Sequence, residues 1–156
     1  MIKRIKSKLK KLPKFTDHYS NYNKKHSWSA LSLRGYTSDP GFITKPSEMS
    51  KKWKNENKDT DFKIQDTKLF DEFPEVRTLI KMLQVDTAHR VRFMKLHANT
   101  GELDRHTDLV DKDSGLSDGK LMRIHYPIVT NDKVIFESWG LSGEKHVVHM
   151  NTGEAW

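Results

Sequence analysis

Two residues of metal-binding type, His106 and Asp108, lie two positions apart in the chain. Side chains at positions i and i+2 of a β-strand point to the same face, so this imidazole and carboxylate can converge on one ion. An iron(II) site of two histidines and one carboxylate leaves open positions for a cosubstrate and oxygen. The chain holds 8 histidines and 21 acidic residues, so such a pair also arises by chance, and a surface His–Asp pair is the alternative.

A second pair, Arg123 and His125, has the same spacing and also shares one face of a predicted strand. A guanidinium can grip a carboxylate through two parallel hydrogen bonds. If this face also carries His106 and Asp108, the site can hold a metal together with a carboxylate-bearing cosubstrate. In the alternative interpretation, Arg123 pairs with an acid of the 111–118 loop and His125 is a hydrogen-bonded core residue.

Other polar residues are expected to have structural roles rather than to bind a metal or a substrate. His146 and His149 are expected on one strand, facing opposite ways, with a separate metal site as the alternative. Ser29, Ser32 and Arg34 are expected at the surface, with a pocket lining as the alternative. The acidic 111–118 loop lacks the spacing of a calcium-binding EF-hand.

The elements that must position these residues follow from hydrophobic periodicity. Apolar residues at helical spacing predict helices over 2–12 and 71–84, and alternation predicts a half-buried strand from Trp28 to Gly35. From residue 88 onward the period is two, and Gly- and Asn-containing turns separate short runs. The predicted strands are 90–96, 103–110, 122–129, 133–139 and 146–150, with 130–132 as the turn of a hairpin. This pattern indicates an antiparallel sandwich or barrel.

Composition excludes several classes of protein. The 156 residues contain no cysteine, which excludes disulfide scaffolds, Cys-ligated zinc, iron–sulfur clusters and Cys nucleophiles. No apolar run approaches the roughly 20 residues of a membrane-spanning helix, and no secretory signal is recognisable. We therefore expect a soluble, cytoplasmic protein.

The positive charge is concentrated at the front of the chain. Residues 1–58 contain 15 Lys/Arg and 4 Asp/Glu, whereas residues 59–156 contain 13 and 17. We predict a basic N-terminal arm over 1–60, with a helix and an irregular segment, and a β-rich core over 61–156. A basic amphipathic helix can contact nucleic acid or a membrane surface, or it can simply cover the domain with a solvated lysine face.

Several segments, taken in order, resemble the aspartyl/asparaginyl β-hydroxylase family, which includes proline hydroxylase-like enzymes. The segments are RFMKL at 92–96, GEL at 101–103, HTD at 106–108, RIHYPI at 123–128, TN at 130–131 and GEAW at 153–156. The resemblance covers residues 88–156, with a weaker similarity over 28–35. Members of this family are Fe(II)- and 2-oxoglutarate-dependent dioxygenases with a double-stranded β-helix, or jelly-roll, fold.

The resemblance implies that His106 and Asp108 are two of three iron ligands, and that Arg123 and His125 face the 2-oxoglutarate. It implies hydroxylation of an amino acid or a peptide side chain. The family's distal iron-binding His and 2-oxoglutarate-binding Arg follow the GEAW segment, and no residue of this sequence matches them. We therefore expect a fragment or a degenerate form, incomplete in its final strands. The alternative is a non-catalytic β-domain that binds nucleic acid or an acidic partner through its basic arm.

Overall fold

The computed structural model describes residues 1–19, 23, 26–85, 88–107 and 122–156. Its contacts divide the chain into two compact units. The hairpin unit consists of Met1–Lys11 and Met122–Trp156, and the sheet unit is Leu12–Leu121. The predicted division after residue 60 lies inside the sheet unit and stays a prediction.

The sheet unit is built around one long strand, β2 (Trp28–Gly35). β1 (Thr16–Asp17) pairs with its beginning and β3 (Gln65–Asp66) with its end, both antiparallel. β4 (Val91–Leu96) runs antiparallel along β2, with a bulge near Ser32. Because Ala30 is opposite both Thr16 and Met94, β1 and β4 lie on opposite edges of β2. The predicted strands 28–35 and 90–96 are therefore confirmed, and they are neighbours.

β2 is buried along almost its whole length, which the sequence did not predict. Ser29 and Ser32 are 0% and 2% exposed, so the expectation of surface positions for them was wrong. The physical reason is that both faces of β2 are covered, since consecutive side chains, which point to opposite faces, are buried alike. The buried hydroxyls are compensated, since Ser32 donates to the carbonyl oxygen of Phe42 at 3.0 Å and Ser29 Oγ lies 3.0 Å from His97 Nε2.

Two short helices, α3 and α4, follow β3 and contribute apolar side chains to the core. α3 spans Lys68–Asp71 and α4 spans Pro74–Met82. A further helix, α2 (Lys51–Glu56), precedes β3. The prediction of a helix within 71–84 is confirmed, with the proline at its first position, where no backbone N–H is needed. Phe73 is fully buried and packs edge-on against Phe93 of β4, with ring centroids 4.8 Å apart.

The hairpin unit begins with α1 (Ile2–Lys8), which continues as a 3-10 turn over Leu9–Lys11. This confirms the helix predicted over 2–12, which ends shortly before Pro13. Ile5 is 0% exposed, so the apolar side of the helix is packed.

The β-hairpin of this unit consists of β5 (Phe136–Trp139) and β6 (Lys145–Val148), joined by a loop with Gly143 at φ 91°. The expected pairing of 122–129 with 133–139 was wrong. Among the described residues, 122–129 form no regular strand, and His125 instead exchanges two backbone hydrogen bonds of 2.9 Å with Trp156. An ion pair between Lys145 and Glu137 joins β5 to β6.

The regular structure of the described residues comprises a four-stranded sheet, a two-stranded sheet and short helices. The double-stranded β-helix stays a prediction. The strand predicted over 103–110 was wrong for residues 103–107, which form no regular strand, and 108–110 lies outside the described residues. In the part of the chain that the structure describes, no helix has the length and apolar character needed to cross a membrane.

Candidate functional site

The chain that leads to His106 is held against the core of the sheet unit. After β4, the predicted turn at 99–102 is confirmed, with Asn99 at φ 64°. A Cβ atom on Gly101 would lie 2.7 Å from the carbonyl oxygen of His97, so only glycine fits there without a shift. The Ser27 hydroxyl donates to the carbonyl of Glu102, and Leu103 packs against the buried cluster of Trp28, Ala30 and Ile43. The segment is therefore anchored three residues before His106.

His106 itself is exposed, and its ring is oriented by a backbone carbonyl two residues earlier in the chain. Its Nδ1 atom lies 2.7 Å from the carbonyl oxygen of Asp104. A carbonyl oxygen only accepts hydrogen bonds, so Nδ1 carries the proton in this contact. In the neutral ring the lone pair is then on Nε2, the nitrogen that would bind a metal ion.

The other predicted ligand, Asp108, lies outside the described residues, as does the 111–118 loop. Within the described ranges, no group of three or more His, Cys, Asp or Glu side chains is arranged to hold a metal ion. The donor types of His106 and Asp108 suit Fe(II), and the tautomer of His106 suits a ligand.

Arg123 and His125 belong to the hairpin unit, whereas His106 belongs to the sheet unit. Arg123 is exposed and His125 is half-buried. The imidazole of His125 lies against Phe136 of β5, with ring centroids 5.5 Å apart. Its backbone is paired with Trp156, and the N–H of Gly153 donates to the carbonyl of Pro127 at 2.9 Å. The structure thus brings together two of the segments that carry the resemblance, 123–128 and 153–156.

His146 and His149 have separate environments. His146 is exposed on β6, and its Nε2 lies 3.8 Å from Glu144 Oε1. The pKa of Glu144 is lowered, chiefly by the hydrogen bond from the Ser142 hydroxyl. His149 is half-buried, with Nδ1 2.7 Å from the carbonyl oxygen of Val134. The expectation of one shared strand is met by His146 only, because β6 ends at Val148 and His149 follows it.

The sequence did not point to the Ser29–His97 pair, which has the residue types of a nucleophile and a base. Ser29 is fully buried, so its hydroxyl has no access to a substrate, and we assign the pair to the sheet. The two residues are 68 positions apart, and only the β2–β4 register brings them together. No local sequence signal marks that pairing.

Arg34, expected at the surface, is half-buried and belongs to an ion-pair network. Its Nη1 lies 2.6 Å from Asp66 Oδ1, and Arg77 Nη1 lies 2.8 Å from Asp66 Oδ2. Burial by itself raises the pKa of Asp66, but the hydrogen bonds from Arg34 and Arg77 outweigh it and leave the pKa below its ordinary value. The network joins β2, β3 and α4, so it is structural.

Comparison of the chain with protein-family models, with curated proteins and with solved structures finds no match in any of the three. The resemblance to the aspartyl/asparaginyl β-hydroxylases therefore stays a prediction that rests on the ordered motifs.

Proposed function

We propose that this chain is a fragment or a degenerate form of an Fe(II)- and 2-oxoglutarate-dependent hydroxylase of an amino acid or a peptide side chain. The proposal comes from the ordered motifs of residues 88–156. The structural observation that supports it is the contact of His106 Nδ1 with the carbonyl oxygen of Asp104 at 2.7 Å. Histidines that ligate metals usually donate their other ring N–H to a carbonyl or a carboxylate, which fixes both the tautomer and the ring orientation.

In this proposal His106 and Asp108 hold the iron through an imidazole nitrogen and a carboxylate oxygen. With 2-oxoglutarate and O2, a bound iron(II) would supply hydroxylation of an unactivated C–H bond, one oxygen atom going to the product and the other to the succinate formed as the cosubstrate loses CO2. The protein orients the ligands. The Asp104 carbonyl keeps the proton on Nδ1 of His106, and the anchoring of Glu102 and Leu103 limits the movement of the segment.

Arg123 and His125 are proposed to bind the cosubstrate. A guanidinium forms charge-assisted hydrogen bonds to a carboxylate, and its planar fork also imposes an orientation. The ring of His125 is held against Phe136, and its backbone is held by Trp156. His125 is thus restrained by contacts on the side chain and on the main chain.

An anaerobic titration with Fe(II) in the presence of 2-oxoglutarate tests the proposal, with the metal-to-ligand charge-transfer absorbance as the readout. Because one of the family's three iron ligands has no match in this sequence, we expect a saturable absorbance that needs more Fe(II) than a complete three-ligand site would. We expect that absorbance to be lost in His106→Ala and to be unchanged in the control His146→Ala. Both histidines are exposed, so neither substitution removes core packing.

Two results would overturn the proposal. One is the absence of a saturable absorbance in the unsubstituted chain. The other is an unchanged titration in His106→Ala, which would place the iron elsewhere. In Arg123→Gln we expect the 2-oxoglutarate concentration at half-saturation to rise by about 10-fold or more, since a charge-assisted bond contributes about 1.5–3 kcal/mol.

A further inference from the structure

The first eleven residues contain several cationic side chains and no acidic residue. Six of them are cationic, and the first acidic residue of the chain is Asp17. The cations are Lys3, Arg4, Lys6, Lys8, Lys10 and Lys11. All are exposed except Lys8, which is half-buried. We call residues 3–11 the cationic helix face, because α1 and its 3-10 turn present these six side chains.

The cationic and apolar side chains lie on different sides of the helix. At about 100° per residue, the six cations spread over an arc of roughly 200°, and Ile2, Ile5 and Leu9 lie within roughly 60° on the opposite side. The apolar side is packed, since Ile5 is 0% exposed and Ile2 and Leu9 are half-buried. The cations are therefore the part of the helix that a partner can reach.

The packing of the apolar side separates two kinds of polyanionic partner. A helix that lies in a membrane interface inserts its apolar side among the lipid chains, and burial of that side supplies much of the binding energy. Here Ile5 is already buried within the protein, and it would have to leave that position first. A phosphate backbone needs only exposed cations, and duplex DNA carries one negative charge per roughly 1.7 Å of axis.

We propose that the cationic helix face binds the phosphate backbone of a nucleic acid through charge alone, without reading its bases. Positions 2–11 contain no Asn or Gln to pair with adenine and no aromatic residue on which a base could stack. Their six Lys and Arg side chains are the residue types that contact phosphates of any sequence. This inference is independent of the proposed hydroxylase activity, because it uses no residue of the candidate site.

The test measures binding of the full chain to a fluorescent mixed-sequence DNA duplex by anisotropy. Kd is determined at several salt concentrations between about 50 and 200 mM, where log affinity falls linearly with log salt. The test variant combines three substitutions, Lys3→Gln, Lys6→Gln and Lys10→Gln. Glutamine has nearly the helix propensity of lysine, so α1 is retained.

A matched control removes the same charge from another exposed helix. Lys51, Lys52 and Lys58, in and just after α2, are exposed and are replaced by glutamine together. We expect the test variant to bind the duplex about 10-fold or more weakly than the unsubstituted chain. We also expect the slope of log affinity against log salt to become less steep by about 2–3, since each phosphate contact contributes roughly 0.9 to it. The control is expected to stay within about threefold of the unsubstituted chain, because its three lysines lie outside the cationic helix face.

Three results would overturn the proposal: no salt-dependent binding of the duplex, equal losses in the test and control variants, or a strong preference for one base sequence. A parallel titration with phosphatidylserine-containing vesicles addresses the lipid alternative. If the chain binds these vesicles more tightly than the duplex at the same salt concentration, the partner is a membrane surface and the proposal is wrong.

Discussion

Arg34 and Asp66 are direct neighbours across β2 and β3, and Arg34 Nη1 lies 2.6 Å from Asp66 Oδ1. The second oxygen of Asp66 accepts from Arg77 of α4, and Arg77 also contacts Asp71 at 3.0 Å. One carboxylate therefore joins two strands and a helix. Each side chain of this network is about one-third exposed, apart from Asp71, which is 75% exposed.

This network predicts a pH dependence of stability. The pKa of Asp66 is lower in the folded protein than in the unfolded chain, so its contribution is present above an ordinary Asp pKa of about 3.9 and is lost as the pH falls through the folded-state pKa. We expect Asp66→Asn to lower the free energy of unfolding by about 1–3 kcal/mol at pH 7, with a smaller difference at pH 3. Urea unfolding at both pH values measures this.

The control for that experiment is Asp71→Asn, which removes one exposed contact of the same Arg77. It is expected to cost less than about 1 kcal/mol. Equal effects of the two substitutions, or a difference between Asp66→Asn and the unsubstituted chain that does not shrink at low pH, would contradict the assignment.

The contact between Phe73 and Phe93 predicts a large loss of stability on truncation. Phe73 is 1% exposed, and Phe73→Ala leaves a cavity beneath β4, so we expect a loss of about 3–5 kcal/mol in chemical unfolding. Met94→Ala, next to Phe93 but 45% exposed, serves as the control and is expected to cost less than about 1 kcal/mol. A comparable loss in both would mean that Phe73 does not pack as the structure has it.

Thr67 predicts a hydrogen-bonding effect that is separable from packing. Its buried hydroxyl lies 3.0 Å from the carbonyl oxygen of Ser32 and 3.1 Å from that of Leu33. Thr67→Val keeps the shape but removes the donor, and we expect it to cost about 1–3 kcal/mol. Thr78→Val is the matched control, since the Thr78 hydroxyl donates to the Pro74 carbonyl on an exposed helix surface. If Thr78→Val lowers the free energy of unfolding as much as Thr67→Val does, the loss at Thr67 does not come from leaving buried carbonyl oxygens without a donor.

The contact of His106 with Asp104 predicts a tautomer that spectroscopy detects without metal. In the neutral imidazole we expect the proton of His106 on Nδ1, read from two-bond nitrogen–proton correlations of the nitrogen-15-labelled chain. His149 provides a positive control, since its Nδ1 lies 2.7 Å from the carbonyl oxygen of Val134 and its proton is expected on the same nitrogen. A His106 proton on Nε2 would remove the structural support for its role as an Nε2 metal ligand.

The sequence by itself determined the elements whose signals are local. The spacing of apolar residues and Pro74 predicted α4, and the same kind of spacing predicted the helix at the N-terminus. Alternation ending at Gly35 predicted the extent of β2. These features depend on backbone preferences and on periodicity within a few residues, which a single sequence contains.

Only the tertiary structure decided what surrounds those elements. Ser29 and Ser32 are polar and were expected at the surface, yet both faces of β2 are covered and bury them. The turn at 130–132 indicated residues 122–129 as the partner of β5, but β5 pairs with β6 instead. The tautomer of His106 depends on where the Asp104 carbonyl points. In each case the outcome depends on which distant or backbone groups come within hydrogen-bond distance, and residue type and spacing alone do not specify that distance.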